Sequence, residues 1–168
     1  MSTVNVWTDG SCLNNGSHNA ASGIGVYYGN NDKRNYSSAL KSERVTNNKA
    51  ELTAILYALV MDFNEHGLSI HTDSLYSIKC ITEYASKWEN NGWVTAKGTP
   101  VESSETIKYI LRLLKIRSTR KLHTKFVHVK GHSTDAGNNA ADLLARNGAL
   151  ADTEGGRIQI LRRCKVPI

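Results

Sequence analysis

The sequence predicts an α/β domain in which helices cover a mixed β-sheet. Along the chain, the hydrophobic pattern changes from the alternation of strands to the spacing of amphipathic helices. The elements follow the order three strands, helix, strand, helices, strand, helix, which is typical of a mixed sheet flanked by helices. With 168 residues, the chain suits one compact domain.

The N-terminal third predicts an antiparallel meander of three strands. Valines alternate with other residues from Thr3 to Thr8, and a second β-rich run from Ser22 to Tyr28 follows a polar turn. The turn residues at positions 29–32 then precede a third strand from Arg34 to Leu40.

The period then changes to that of a helix, which Thr46 or Asn47 can cap and which Gly67 follows. Its apolar residues recur at helical spacing: Leu52, Ile55, Leu56, Leu59 and Phe63. The remaining chain predicts, in order, a strand at Leu68–Thr72, a helix at Leu75–Trp88, a projecting loop at Trp88–Gly98, a helix around Ile107–Leu114, a strand at His123–Val129, and a helix at Ala136–Asn147 that Gly148 ends.

The charge balance favours a polyanionic partner, because 21 Lys and Arg against 15 Asp and Glu leave a formal charge of +6. Four of the basic residues lie in the final segment, so we expect a domain over residues 1–151 and a basic C-terminal extension over 152–168. The extension is expected to be flexible or to pack as a short strand through Ile158, Ile160 and Leu161.

Several classes of protein are disfavoured by composition. No apolar stretch approaches the roughly 20 residues that span a bilayer, and no basic region at the start precedes an apolar segment. Cys12, Cys80 and Cys164 lack zinc-site spacing and are too few for a disulfide scaffold. We expect an intracellular, by default cytoplasmic, monomer without membrane contact or an implied protein partner.

Four acidic residues stand at element ends or on helix faces where strands and helices converge: Asp9, Glu51, Asp73 and Asp142. Adjacent parallel strands would set Asp9 and Asp73 side by side, where like charges repel. Such a group holds a proton or binds cations, and oxygen ligands favour magnesium or manganese. Taken alone, Asp9 or Asp73 is equally well interpreted as a turn or cap residue.

Five segments together resemble the type 1 ribonuclease H family in order and spacing, over a region from about Val4 to Ala151. They are the segments 8–12 (TDGSC), 46–52 (TNNKAEL), 72–74 (TDS), 128–133 (HVKGHS) and 137–145 (GNNAADLLA). The loop from Trp88 to Trp93 resembles the family's substrate-binding protrusion.

The resemblance implies a five-stranded mixed sheet, with three antiparallel N-terminal strands and parallel additions, flanked by helices. It implies an endonuclease that hydrolyses the RNA strand of RNA/DNA hybrids and leaves 5′-phosphate and 3′-hydroxyl ends. Two Mg²⁺ ions, which Mn²⁺ can replace, would be held by the metal ligands Asp9, Glu51, Asp73 and Asp142, with His132 as a further catalytic residue.

The resemblance also implies contacts with the hybrid. Arg44 and Thr46 match a pocket for a phosphate of the DNA strand, whose third member, usually Asn, aligns with Ser103. The other substrate-binding residues implied are Asn15, Asn47, Asn48 and Tyr84, the last standing where relatives often place a tryptophan.

Three other functions compete with this interpretation. One is a noncatalytic module that binds hybrids, and another is a nuclease of the same fold superfamily that acts on DNA. The third is an interaction domain with a basic tail. The presence of all four carboxylates favours the nuclease over a module that only binds, because crowded negative charges are costly without a metal.

Overall fold

The computed structural model describes residues 2–17, 20–42 and 44–151. Its five strands form one mixed sheet in the order β3-β2-β1-β4-β5. The strands are β1 (Thr3–Leu13), β2 (Ala21–Tyr27), β3 (Tyr36–Leu40), β4 (Gly67–Thr72) and β5 (Thr124–His128). The antiparallel meander is confirmed, since β1 pairs with β2 and β2 with β3, while β4 adds parallel to β1 and β5 parallel to β4.

Two strand boundaries differ by more than one residue from those predicted. Strand β1 continues to Leu13 because its antiparallel pairing with β2 extends well beyond the last residue that pairs with β4, Trp7. Strand β3 begins at Tyr36 rather than Arg34. The Arg34 backbone N–H donates to the Asp32 carboxylate and its guanidinium reaches Asp62, so this segment is a turn anchored by ion pairs.

The helices are α1 (Asn47–Met61), α2 (Leu75–Lys79), α3 (Ala85–Asn91), α4 (Ser104–Thr119) and α5 (Ala136–Leu150). Helix α1 begins as predicted, because the Thr46 side chain accepts a hydrogen bond from the Lys49 N–H and caps the first turn. It lies between the sheet and α4, and its residues Leu52, Ile55 and Leu59 are almost fully buried. Burial of this face supplies most of the helix's stability.

The C-terminal end of α1 is held by a buried arginine on α4. Arg117 is fully buried and donates hydrogen bonds to the carbonyl oxygens of Asp62, the C-cap residue of α1, and of Phe63 and His66, which follow the helix. Burial lowers the pKa of Arg117, and the nearby Asp62 carboxylate opposes that shift. The contact ties α4 to the end of α1 and defines where the chain turns toward β4.

The helical segment after β4 extends further along the chain than predicted. A π-helical turn at Cys80–Tyr84 joins α2 to α3, and the helical path continues past Trp88 to Asn91, where Gly92 in the left-handed conformation ends it. Trp88 and Trp93 lie near each other, with ring centroids 6.0 Å apart, and both pack against the main core. The loop therefore lies later in the chain than predicted, over residues 92–103.

Helix α5 lies on the face of β1, β2 and β3 and runs three residues beyond the predicted end. Gly148 does not stop the helix; it is buried within it against the Ser38 backbone. Gly23 and Gly25 on β2 meet the same helix, and a Cβ at any of the three would overlap backbone atoms. Gly148 is therefore needed for the close approach of helix and sheet, not for a turn that ends the helix.

Within the described residues, no helix is long and apolar enough to cross a membrane. The predicted basic extension, residues 152–168, lies outside the described residues. The domain boundary at residue 151 therefore stays a prediction.

Replacing Gly148 with Ala tests the close packing of α5. In an open helix this change would stabilise by roughly 0.5–1 kcal/mol. Here the added methyl group would overlap Ser38, so we expect a loss of about 2 kcal/mol in the free energy of unfolding, measured with urea. The neighbouring exposed Asn147→Ala should change it by less than about 0.5 kcal/mol. Equal stability of the two variants would contradict this packing.

Candidate active site

The register of the two central strands brings two aspartates together. Trp7 pairs with His71 across the parallel β1 and β4, and Asp9 and Asp73 each lie two residues further on. Asp73 follows the last residue of β4, as predicted. Asp9 was also expected at the end of its strand, but it lies within β1, which continues to Leu13. Asp9 is 4% exposed and accepts a hydrogen bond from the Gly10 N–H at 2.9 Å.

Glu51 joins them from the first turns of α1. Gly10 lets β1 approach this helix closely, since a Cβ there would overlap the backbone between Ala50 and Glu51. One carboxylate oxygen each of Asp9, Glu51 and Asp73 lies within 4.8 Å of the other two. These three residues are called the carboxylate cluster below.

Asp142 lies beside the cluster on α5 but has a partner of its own. It is half-buried and lines a cavity of about 330 Å³ that is also lined by the carboxylate cluster. Its carboxylate pairs with the Arg146 guanidinium at 3.1 Å. Arg146 stands one turn further along α5, at the i,i+4 spacing that brings side chains together on a helix. The ion pair compensates part of the charge of the fourth carboxylate.

Crowding within the cluster alters its titration. Burial raises the pKa of Asp9 to about 7, a shift that the contact with Glu51 opposes and the charges of Asp73 and Asp142 reinforce. Burial and the negative charge of Asp9 raise the pKa of Glu51 well above its ordinary value. Without a cation, the cluster therefore retains a proton near neutral pH.

The residues present fit a hard divalent cation. The donors are carboxylate oxygens, which Mg²⁺ and Mn²⁺ prefer. Glu51 Oε2 is buried and has no hydrogen-bond partner among the described residues, as expected for an atom that awaits a ligand. Asp9, Glu51 and Asp73 could hold a metal ion, with Asp142 at the side of the same cavity.

Asn138 is a residue of this site that the sequence analysis did not single out. It is 1% exposed, and its amide nitrogen donates to Asp73 Oδ2 at 3.3 Å. Asp135 holds it in place, since its carboxylate accepts from the Asn138 N–H at 2.8 Å and caps α5. This cap was detectable in the sequence, because an Asp immediately before a helical pattern is a common start signal.

His132 lies at the mouth of the cavity, on the loop between β5 and α5. Its side chain is exposed and its backbone adopts a φ of 53°, a conformation that a non-glycine residue rarely takes outside turns. The preceding Gly131 packs against the Asp73 carboxylate. The loop therefore brings an imidazole close to the carboxylate cluster without burying it.

The three predicted asparagines differ in burial and in whether they line the cavity. Asn47, the first residue of α1, is exposed and lines the cavity that contains the cluster. Asn48 is half-buried on the same turn, and Asn15 is exposed in the turn after β1. Asn47 alone of the three lines this cavity.

Arg44 and Thr46 line a separate depression beside α1, together with Gly16 and Ser17. The hydroxyl of Ser103 is buried and has no hydrogen-bond partner among the described residues. The neighbour that contacts Thr46 is Glu102, whose carboxylate accepts a hydrogen bond from the Thr46 hydroxyl at 2.7 Å. The sequence analysis did not identify Glu102.

Tyr84 is half-buried in the π-helical turn, and its ring lies 5.7 Å from that of Trp88. Both residues pack against the core, so the aromatic groups of this region contribute to its structure.

Comparison with known proteins identifies the family. The family model described as RNase H matches residues 1–150. A Ribonuclease H of Schizosaccharomyces pombe is 44% identical over 86% of this chain and 52% of its own length. A Ribonuclease HI of Xylella fastidiosa is 34% identical over 90% of this chain and 95% of its own. This chain thus spans about half the length of the first relative and nearly all of the second.

Solved structures agree with these matches. The solution structure of the PFV RNase H domain has a TM-score of 0.65 and 25% identity, covering 88% of this chain and 94% of that one. A foamy viral protease-reverse transcriptase in complex with an RNA/DNA hybrid has a TM-score of 0.68 and 25% identity, covering 87% of this chain and 20% of that one. The five-stranded fold predicted from the resemblance is confirmed.

The raised pKa of Asp9 predicts how stability depends on pH. Below about pH 4 the Asp9 carboxyl group is protonated in both the folded and the unfolded chain, so it does not affect the free energy of unfolding. Between about pH 4 and pH 7 only the unfolded chain releases this proton, so the destabilisation of the folded state grows with pH and is constant above about pH 7. In EDTA, Asp9→Asn should therefore stabilise the protein at pH 8 by on the order of 4 kcal/mol and much less at pH 4. Thermal unfolding across this pH range measures the difference.

The exposed Glu65→Gln removes the same charge away from the cluster and serves as the control. The difference in stability between Glu65→Gln and the unsubstituted protein should be small and should vary little between pH 5 and pH 8. A stabilisation by Asp9→Asn that is the same at every pH would contradict the raised pKa.

Proposed function

The chain belongs to the ribonuclease H family, and from this membership we propose that it is an endonuclease that hydrolyses the RNA strand of RNA/DNA hybrids. The observation that carries the proposal is the carboxylate cluster, in which three carboxylate oxygens lie within 4.8 Å in a cavity open to solvent. The cleaved RNA would carry a 5′-phosphate on one product and a 3′-hydroxyl on the other.

Asp9, Glu51, Asp73 and Asp142 would hold two Mg²⁺ ions, which Mn²⁺ can replace. When bound, the ions supply an acidified water molecule as nucleophile and neutralise charge that develops on the scissile phosphate and the leaving 3′ oxygen. The four carboxylates would thus determine where the phosphodiester is attacked.

The chain's own side chains would do the rest by positioning and proton transfer. Asn138 and the Gly10 N–H hold Asp73 and Asp9 in their orientations, so little reorganisation is needed when substrate enters. Glu51 and Asp9 would give up a proton when a cation binds, because their pKa values are raised without one. His132, which is exposed and lines the cavity, would carry protons to solvent.

The hybrid would be bound along the surface beside the cavity. Asn47 lies at the edge of the carboxylate cavity, where an amide can contact 2′-hydroxyls and base edges in the minor groove. Arg44 and Thr46 would bind a phosphate of the DNA strand, while Asn15, Asn48 and Tyr84 would add further contacts. Requiring a 2′-hydroxyl in one strand and a deoxyribose backbone in the other explains how a hybrid would be selected.

The proposed activity is tested by incubating the protein and Mg²⁺ with a hybrid labelled on its RNA strand, beside duplex DNA and duplex RNA. We expect cleavage of the hybrid alone, lost in EDTA and reduced at least about a hundredfold in Asp9→Asn, since removing a metal ligand costs several kcal/mol of transition-state stabilisation. The Glu65→Gln variant should cleave normally. Binding of the hybrid without Mg²⁺-dependent cleavage would refute the enzyme and leave a binding module.

The proposed contact with the DNA strand predicts a change in salt dependence. Arg44→Ala should weaken hybrid binding by roughly tenfold and lower the slope of log K against log salt by about one, because one phosphate contact is lost. Lys33→Ala removes an exposed positive charge beside Arg34, whose guanidinium contacts the opposite end of α1, and should leave the slope unchanged. An equal effect of the two substitutions would show that Arg44 contributes only general charge.

A further inference from the structure

A carboxylate lies where the proposed phosphate pocket needs a hydrogen-bond donor. Glu102 stands just before α4, and its Oε1 accepts the hydroxyl of Thr46 at 2.7 Å. The two residues are 56 positions apart, so this contact links the start of α1 to the start of α4. A hydroxyl has one proton to donate. While Thr46 donates to Glu102, it cannot donate to a phosphate.

One lone pair of the same hydroxyl is also engaged. Thr46 accepts from the Lys49 N–H at 3.2 Å, which holds its side chain in the N-cap orientation. The cap therefore positions the Thr46 oxygen, and the remaining proton is the part of the group that a ligand can use. Competition between two anionic acceptors for that proton is direct.

Arg44 lies close to both partners. It lines the depression that contains Thr46, and it also lines a groove with Glu102 and Trp88. A guanidinium between these two cavities would attract either the Glu102 carboxylate or a phosphodiester. A phosphate that entered would also be repelled by the charge of Glu102.

The backbone around Glu102 holds it in this place. The preceding Val101 is buried, and its N–H donates to the Trp93 carbonyl at 2.9 Å. On the other side, the Ser103 carbonyl accepts from the Ile107 N–H at 3.0 Å, and Ser103 itself adopts a φ of 58°. Only the exposed Glu102 side chain is free to turn away. The contact is thus positioned by the fold and reversible by rotation of one side chain.

We propose that Glu102 is an internal competitor for the DNA-strand phosphate at Arg44 and Thr46, and that it sets the affinity of this chain for its substrate. The inference rests on the proposed function, since it assumes that a hybrid is bound at this surface. Substrate must displace the carboxylate from Thr46 before the phosphate contact forms. Glu102 therefore weakens binding and speeds release of the hybrid.

The competing explanation is a purely structural link between α1 and α4. Glu102→Gln keeps an oxygen that can accept from Thr46 but removes the charge, whereas Glu102→Ala removes both. A structural link predicts that Ala destabilises the fold and that neither variant binds the hybrid more tightly. Competition predicts tighter binding in both, with the larger gain in Ala.

The matched control is Glu65→Gln, which removes the same charge just beyond the opposite end of α1. That helix has 15 residues and a length of about 22 Å, more than two Debye lengths at physiological salt. General electrostatic attraction to the hybrid would change with Glu65 as well as Glu102 at low salt. A change confined to Glu102 is local.

The experiment measures the Kd for a labelled RNA/DNA hybrid by fluorescence anisotropy in EDTA over a range of salt concentrations. It also measures KM and kcat for cleavage in Mg²⁺. We expect Glu102→Ala to bind about three- to tenfold more tightly and to have a lower KM, with little change in the salt slope, because the same phosphate is contacted once the carboxylate has been displaced. Glu65→Gln should match the unsubstituted protein in all three.

A double variant identifies the phosphate pocket as the origin of the gain. In an Arg44→Ala background, Glu102→Ala should no longer tighten binding appreciably, because the pocket for which it competes is lost. An undiminished gain in that background, or Glu102 variants that bind like Glu65→Gln, would overturn the inference while the proposed function stands. If the unsubstituted protein neither binds nor cleaves the hybrid, the proposed function itself fails and the competition fails with it.

Discussion

The mutual repulsion of three crowded carboxylates, two of them buried and one half-buried, is the constraint on which the site and much of the fold depend. Asp9, Glu51 and Asp73 would move apart unless rigid elements held their backbones, and they come from a strand, a helix and the end of a second strand. The parallel register of β1 and β4 sets two of them, and close contact of α1 with β1 sets the third. The apolar face of α1 supplies the free energy that offsets this repulsion.

The same constraint gives the site its capacity for a cation. Carboxylates with raised pKa values are poor ligands while protonated and good ones once a divalent ion displaces the proton. The supporting groups favour that exchange, because Asn138 and Gly10 orient oxygens without neutralising them. Asp142 differs from the cluster, since Arg146 already compensates part of its charge. The four acidic residues are therefore not equivalent.

Beyond the cavity, the surface balances attraction against release. A formal charge of +6 favours a polyanion, and Arg44 and Thr46 would present a guanidinium and a hydroxyl to a phosphate in the proposed pocket. Glu102 opposes this at the same hydroxyl. Binding to a phosphate backbone is strong and unspecific, so one opposing carboxylate at a single pocket can reduce affinity without altering the chemistry at the cluster.

Local pattern in the sequence determined the α/β class, the order of elements, the start of α1 and the residues of the carboxylate cluster. These follow from hydrophobic period and from short motifs, which depend on neighbouring residues. Residues distant in sequence decided the rest. Gly148 resembles a helix stop until Ser38 is seen against it, and Glu102 resembles surface charge until Thr46 is seen beside it. Arg117 likewise has meaning only at the end of α1. Such roles depend on which backbones approach one another, and only the tertiary structure specifies that.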